Sequence, residues 1–135
     1  MVYAVIDTNV LVAALLSKLA DSSTVVIRQH ILEGTITPLF NDEIFNEYTD
    51  VLHRPSLKLP TEQIESILDA IMQRGLILGR TKTDEIFTDP KDIVFYEVAL
   101  SKEGSYLVTG NTKHFPKTPI VVTPTELLAI IQRGK

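Results

Sequence analysis

VYAVIDTNVLVAALLSK, residues 2–18, sets the pattern for the rest of the chain. Val2–Ile6 is short, apolar and rich in β-branched residues, the composition of a parallel strand buried on both faces. It stops on Asp7-Thr8-Asn9, and an apolar run resumes at once from Val10 to Leu16. The spacing predicts a helix over 9–18, entered straight from the strand. A carboxylate and two polar side chains therefore sit in the seam between two buried elements. Polar groups in such a place need partners, so the seam calls for a chemical reason.

Strands and helices alternate from there on. A second helix is predicted to start at Asp21, Ser22 or Ser23, all good N-caps, and to stop at Gly34. TITPLF (35–40) holds a short strand. NDEIFNEYTDVLHR (41–54) reads as a helix capped by Asn41 and ended by Arg54-Pro55, because a residue before proline is pushed out of the helical region. Another helix is predicted over 61–74, with Thr61 as N-cap and Gly75 as stop. DPKDIVFYEVALSKEG (89–104) puts Asp89 at an N-cap, Pro90 at the first helical position and Gly104 after the end. SYLVTG (105–110) and PIVVT (119–123) read as strands. A final helix opens on a capping box, Thr123 to Glu126, with Pro124 inside it. Strand–helix alternation predicts an α/β fold with a mainly parallel, helix-covered sheet. In such sheets ligands sit at the carboxyl ends of the strands.

The totals bound the class. At 135 residues, with 44% hydrophobic and 22% charged residues, the chain is expected to be one soluble, globular domain, residues 1–135. Residues 10–16 are too short to span a membrane and no basic segment precedes them, so neither signal peptide nor anchor is expected. The chain has no Cys, which excludes a disulfide framework and a thiolate metal site and fits a reducing cytoplasm. A net charge of −4 is not that of an obvious nucleic-acid binder, so an anionic substrate would need help from a local cation.

Four side chains stand out. Asp7 ends the first strand, where a site belongs, though it could equally cap the following helix. Ile44, Phe45, Tyr48, Val51 and Leu52 form one helical face with Glu47 at its border and Glu43 and Asp50 further round. A carboxylate at that border needs a metal or a salt bridge, for instance to Arg54. Asp92 could be the acidic partner of a capping box led by Asp89. Asn111, in LVTGNTKHF (107–115), directly follows a strand as Asp7 does, although a Gly-Asn pair is also an ordinary turn. Thr109 shares that strand end. Three acids and an amide at strand ends, a helix N-terminus and a core border make an all-oxygen set that suits Mg²⁺ or Mn²⁺. No His or Cys pattern has zinc spacing. His30, His53 and His114 read as surface or helix-end residues, with His114 near the site.

The ordered set VIDTNVLVAALLSK, NDEIFNEYTDVLHRP, DPKDIVFYEVAL and YLVTGNTKHF resembles a PIN domain along essentially the whole chain. More narrowly, it resembles the VapC-like toxin components of bacterial and archaeal toxin–antitoxin systems. The resemblance implies a three-layer α/β/α fold and a Mg²⁺- or Mn²⁺-dependent ribonuclease leaving 5′-phosphate and 3′-hydroxyl ends. Asp7, Glu47 and Asp92 match the family's three central acids. Asn111 stands where many members carry a fourth Asp. Thr8 or Thr109 would support the site from behind. An amide brings no charge, which argues against tight binding of a second metal.

The expected partners are single-stranded or loop RNA, a cognate antitoxin and a second copy of the chain in a homodimer, with no membrane. Lys18, Arg54, Lys113 and His114 are the substrate contacts suggested by their nearness in sequence to the motifs. A second reading is a PIN-fold RNA- or protein-binding module that is weak or inactive in cutting, which Asn111 and the acidic charge favour. A haloacid-dehalogenase-type phosphatase would need an acid where Asn9 stands. A receiver-like signalling domain would want a late-strand Lys that VTGN followed by Lys113 does not match.

Overall fold

The computed structural model describes residues 1–134, and strands and helices alternate through it. The strands are β1 (Val2–Ile6), β2 (Ile36–Phe40), β3 (Leu76–Ile77), β4 (Tyr106–Val108) and β5 (Val121–Val122). The helices are α1 (Thr8–Leu16), α2 (Ser23–Glu33), α3 (Asp42–Leu52), α4 (Thr61–Arg74), α5 (Ile93–Leu100) and α6 (Pro124–Arg133). Short 3₁₀ turns cover Pro55–Leu57, Pro90–Asp92 and Thr112–His114. The five strands lie in the order β3-β2-β1-β4-β5, and every pairing is parallel. The sheet is covered by helices, giving the three-layer α/β/α arrangement.

This order places the site. From β1 the chain steps outward to β2 and β3 on one side, then returns to lay β4 and β5 on the other. Registers Val2↔Ile36 and Ile6↔Val108 bring the ends of β1 and β4 level. There β1 leads on to β2 and β4 to β5, in opposite directions across the sheet, which is the switch point at which doubly wound sheets bind ligands. Asp7 follows β1 and Thr109 follows β4.

The core explains why these segments fold as they do. Ala4, Val5 and Ile6 of β1 and Leu107 and Val108 of β4 are fully buried, as a central parallel strand requires. α2 ends on Gly34 with φ 88°, the left-handed cap that glycine adopts without steric cost. α3 is amphipathic: Ile44, Tyr48 and Leu52 are buried while Glu43 and Asp50 are exposed, and Asn41 accepts the Ile44 N–H at 2.9 Å as N-cap. The Thr123–Glu126 capping box starts α6 in both directions, with bonds of 3.1 and 2.8 Å.

Several boundaries differ from expectation. α1 begins at Thr8 and ends at Leu16, inside the predicted 9–18 at its far end. Thr61 is the first helical residue of α4, because Pro60, extended at φ −64° and ψ 128°, takes the cap position. α5 does not start at Asp89: Pro90–Asp92 form a 3₁₀ turn first, with Asp89 accepting the Lys91 N–H at 2.9 Å. β3 has no counterpart in the predicted strands. Its two residues are both exposed and carry no alternation to read.

The segment between β3 and α5 is strapped down by Arg80. Its guanidinium meets Glu97 at 2.8 Å and Glu43 at 3.0 Å, and the Thr83 N–H reaches the other Glu97 oxygen at 2.9 Å. Glu97 thus sits buried in an almost wholly apolar helix with its charge answered. The Thr83 N–H first, and then Arg80, against burial, hold its carboxyl below the usual glutamate range.

Candidate active site

Asp7 is fixed by both polar groups of the peptide unit that joins it to Ile6. Its N–H donates to the Val108 carbonyl at 2.9 Å, and the carbonyl of Ile6 accepts from the buried Tyr48 hydroxyl. Tyr48 is one residue past Glu47, so this bond pins α3 to the end of β1 and carries Glu47 with it. Asp7 occupies the N-cap position of α1 but makes no capping bond with its side chain. Instead its Oδ2 accepts the Thr109 hydroxyl at 2.7 Å, and Thr109 Oγ1 in turn accepts the Asn111 N–H at 3.0 Å. The side chain of Thr8 donates to Glu47. The salt bridge to Arg54 that was one alternative for Glu47 does not form; Arg54 pairs with Asp50 at 3.6 Å.

Asp92 is the least satisfied of the group. Its Oδ2 is buried and has no hydrogen-bond partner. The capping-box role open to it in the sequence is not realised, since the 3₁₀ turn delays the helix. The nearest basic side chain is that of His114, its Nδ1 3.8 Å away and too far for a hydrogen bond. Burial, then the negative charge of Asp7, push the Asp92 carboxyl up to about 6. Burial also raises Asp7, with the Thr109 hydrogen bond opposing. The Tyr48 hydroxyl is pushed well up by burial, then by the charges of Asp7 and Glu47. The three acids therefore share one electrostatic field at the β1/β4 switch point. Asn111 lies at its edge, exposed, with its amide nitrogen 3.1 Å from His114 Nε2.

An open cavity of about 600 Å³ is lined by Asp7, Thr8, Asn9 and Glu47, with Arg54 and Lys91 among its walls. Of the substrate contacts suggested by the sequence, Arg54 opens on this cavity and His114 faces Asp92. Lys18 and Lys113 do neither: Lys18 lines a groove with Arg28 and Lys58, and Lys113 one with Phe115 and Lys117. Lys91 was missed in the sequence, where it reads only as the interior of a capping motif. Its signal was its place as the one cation between Asp89 and Asp92.

Among the described residues, no three His, Asp or Glu side chains form a group that could hold a metal ion as they stand. Glu47 is held by Thr8 and Asp7 by Thr109. The donors nevertheless fit a hard divalent cation: oxygens throughout, raised carboxyls that a cation would restore to the ionised form, and one buried oxygen with nothing bound to it.

A family model described as PIN domain matches residues 3–113. The chain belongs to the PIN domain family. PIN domains are generally nucleases that use divalent metals. This PIN chain is also similar to the "Probable nucleolar complex protein 14" of Schizosaccharomyces pombe (strain 972 / ATCC 24843), 24% identical over 111 residues. The match takes in 81% of this chain but spans only 13% of that protein's length. No solved structure matches. Among the described residues, no helix is long and apolar enough to cross a membrane.

Thr109→Val tests the support of Asp7 in this PIN domain. The substitution keeps shape but removes the donor to Asp7 and the acceptor for the Asn111 N–H. Leaving a buried polar group unserved costs about 1–3 kcal/mol. Loss of a group that supports a metal ligand weakens metal binding ~10–100-fold. Urea unfolding and Mn²⁺ titration are expected to show both losses together.

Proposed function

We propose that this PIN domain chain is a Mg²⁺- or Mn²⁺-dependent endoribonuclease that hydrolyses RNA phosphodiester bonds. Asp7, Glu47 and Asp92 hold the ion, with the Asn111 side-chain oxygen at its edge. The observation that carries this reading is the buried, unpartnered Oδ2 of Asp92 in the field of Asp7. An isolated acid there would be a cost with no return, whereas a cation answers it.

When bound, the ion polarises the scissile phosphate and lowers the pKa of a water at neutral pH. The chain's own groups do the rest. Thr109 and Thr8 orient Asp7 and Glu47, and Tyr48 keeps α3 registered against β1. Arg54 and Lys91 line the cavity and give the flanking phosphates cationic contacts that a chain of net charge −4 otherwise lacks. Asn111 adds no charge, which favours one ion over two. Single-stranded or loop RNA is the expected target, since a duplex hides its base edges.

The order of the motifs favours a toxin working in the cytoplasm under the control of an antitoxin, and family resemblance favours a homodimer. The nucleolar name of the fission-yeast relative is the argument for a nuclear protein complex instead, and it rests on a small fraction of that protein. The second reading, a PIN-fold module that binds RNA or protein without cutting, draws on Asn111 and on the lack of a closed cage among the described residues.

Mixed-sequence RNA incubated with the chain and Mn²⁺ or Mg²⁺ is expected to be cut, and EDTA is expected to stop the cutting. The products should carry 5′-phosphates, and ligate without prior kinase treatment. RNA that is bound but left intact by folded, Mn²⁺-loaded protein would favour the binding module.

A further inference from the structure

We propose that a second, cationic groove, walled by Lys18, Arg28 and Lys58, holds phosphates of the RNA strand a few nucleotides away from the bond that is cut. The inference rests on the nuclease reading above and extends it from the reacting phosphate to the strand that carries it.

The groove lies at the far end of α1 from Asp7 and encloses about 360 Å³. Its apolar walls are Leu15, Leu16, Leu59 and Pro60. Lys18 and Lys58 are exposed and Arg28 is half-buried. No carboxylate lines the groove, and Glu62, in the first turn of α4, is not among its walls. None of the three cations takes part in a salt bridge among the described residues. In a chain of net charge −4, three cations without acids in one groove form a local positive field that attracts anions.

The groove is also short of acceptors. Arg28 donates from one terminal nitrogen to the Ala14 carbonyl at 3.5 Å, but its buried Nε has no acceptor. A buried donor left unserved is costly, and an anionic oxygen answers it. Lys58 has φ 50° and is the one non-glycine residue in the left-handed region among the described residues. Glycine would suit that backbone better, yet the position sets a lysine into the wall of the groove. α4 opens beside it on Pro60 with no side-chain cap, so the positive end of a 14-residue helix adds to the field.

The route to the catalytic cavity favours an RNA strand over an acidic peptide. α1 begins at Thr8 in the wall of that cavity and ends at Leu16 in the wall of this groove. The link from Arg54 to Pro60 likewise starts at the cavity and ends at the groove. At ~1.5 Å per residue α1 separates the two by ~14 Å. That is too far for Lys18 to touch the phosphate being cut, but within the reach of a strand of ~4–16 nucleotides, the span of single-strand binding sites.

The test is the binding of a ~16-nucleotide mixed-sequence single-stranded RNA, read by fluorescence anisotropy. The full chain carries Asp7→Asn so that the RNA stays whole. Lys18→Gln, Arg28→Gln and Lys58→Asn together are expected to weaken binding at least ~10-fold at low salt. They should also lower the slope of log affinity against log salt by ~2, because each phosphate neutralised on a single strand contributes ~0.7. Asn is used at 58 because it tolerates the left-handed region. Lys18→Gln with Lys58→Asn, both at exposed positions, should lower the slope by ~1.4, so the result does not hang on the packing of Arg28. Lys18→Arg with Arg28→Lys keeps the charge and should bind like the parent. An unchanged slope, or an equal loss in the charge-keeping variant, would overturn the groove. Hexaglutamate held more tightly than RNA by these three side chains would overturn it in favour of an acidic protein segment. RNA binding with the expected dependence, by a wild type that does not cut, would leave the groove standing and remove the nuclease reading. A folded chain that binds no RNA would overturn both.

Discussion

Asp92→Asn is expected to make the metal-free chain more stable and to abolish its metal-dependent activity. The Asp92 carboxyl is held at about 6 in the folded chain against an ordinary value of 3.8, by burial and then by Asp7. Between those values the folded state holds more proton than the unfolded state. The stability of the metal-free wild type therefore falls as pH rises from ~4 to ~6, and stays lower above that. Asn does not titrate, so the share of this slope that Asp92 contributes should disappear in the variant, leaving the share of the raised Asp7 carboxyl. At pH 8 the gain is about 1–2 kcal/mol after discounting for the solvent at the rim of the side chain. That corresponds to a rise in Tm of about 5 °C. Mn²⁺ should invert the ranking. At 100 times its dissociation constant, a ligand of the native state adds ~2.7 kcal/mol, and only the wild type would collect it. Cleavage should fall at least ~100-fold, more than the loss of a merely supporting group. Melting curves at pH 4 and pH 8, with and without Mn²⁺, read the three stability effects, and RNA cleavage reads the fourth. A variant that melts below the metal-free wild type at pH 8 would show that Asp92 is a structural acid.

Gly75→Ala should be the most damaging single methyl in the fold. Gly75 stops α4 and leads into β3, with φ −74°, a value any residue adopts, so the difficulty is space and not backbone strain. A Cβ there would press on the Ile71 carbonyl oxygen and come within 2.7 Å of Phe40 Cε1 and 2.8 Å of the Pro38 carbonyl oxygen. Two of the three obstacles are backbone, and the third is a buried ring that cannot swing into solvent. Overpacking of this kind costs about 1–3 kcal/mol, and contacts this close put Gly75→Ala at the upper end. In urea the midpoint should fall accordingly with the slope unchanged. The site should feel it as well, because Phe40 is followed by Asn41, the N-cap of the helix that carries Glu47. A Gly75→Ala variant as stable as the wild type would mean that α4 and β2 are spaced more loosely than described here.

The sequence revealed the elements whose period is strong and the site residues tied to them. A buried strand broken by Asp7 and followed at once by an apolar helix fixed the position of that acid. The amphipathic face of α3 put Glu47 at its border, where it lies half-buried. The two ends of the Thr109–Asp7 bond were each legible as strand ends, 102 residues apart, although their contact was not. What escaped was structure with no period. β3 is two exposed residues, and Arg80 sits in an irregular strap whose partners, Glu43 and Glu97, belong to two different helices. The Asp89-Pro90-Lys91-Asp92 stretch satisfied a capping pattern, yet a 3₁₀ turn satisfies it equally, and in the turn the buried Oδ2 of Asp92 has no donor. Lys18 misled by being close in sequence to Asp7. Nine helical residues lie between them, and at ~1.5 Å per residue they carry a side chain ~14 Å away.

The central claim is that the acid at the end of β1 serves a metal that cuts RNA. The most direct measurement is the rate of cleavage of mixed-sequence fluorogenic RNA in Mn²⁺ by wild type and by Asp7→Asn, both shown to be folded by circular dichroism. The account predicts cutting by the wild type and a loss of at least ~100-fold in the variant, with EDTA silencing the wild type. Equal rates in the two proteins would contradict it and move the site away from Asp7.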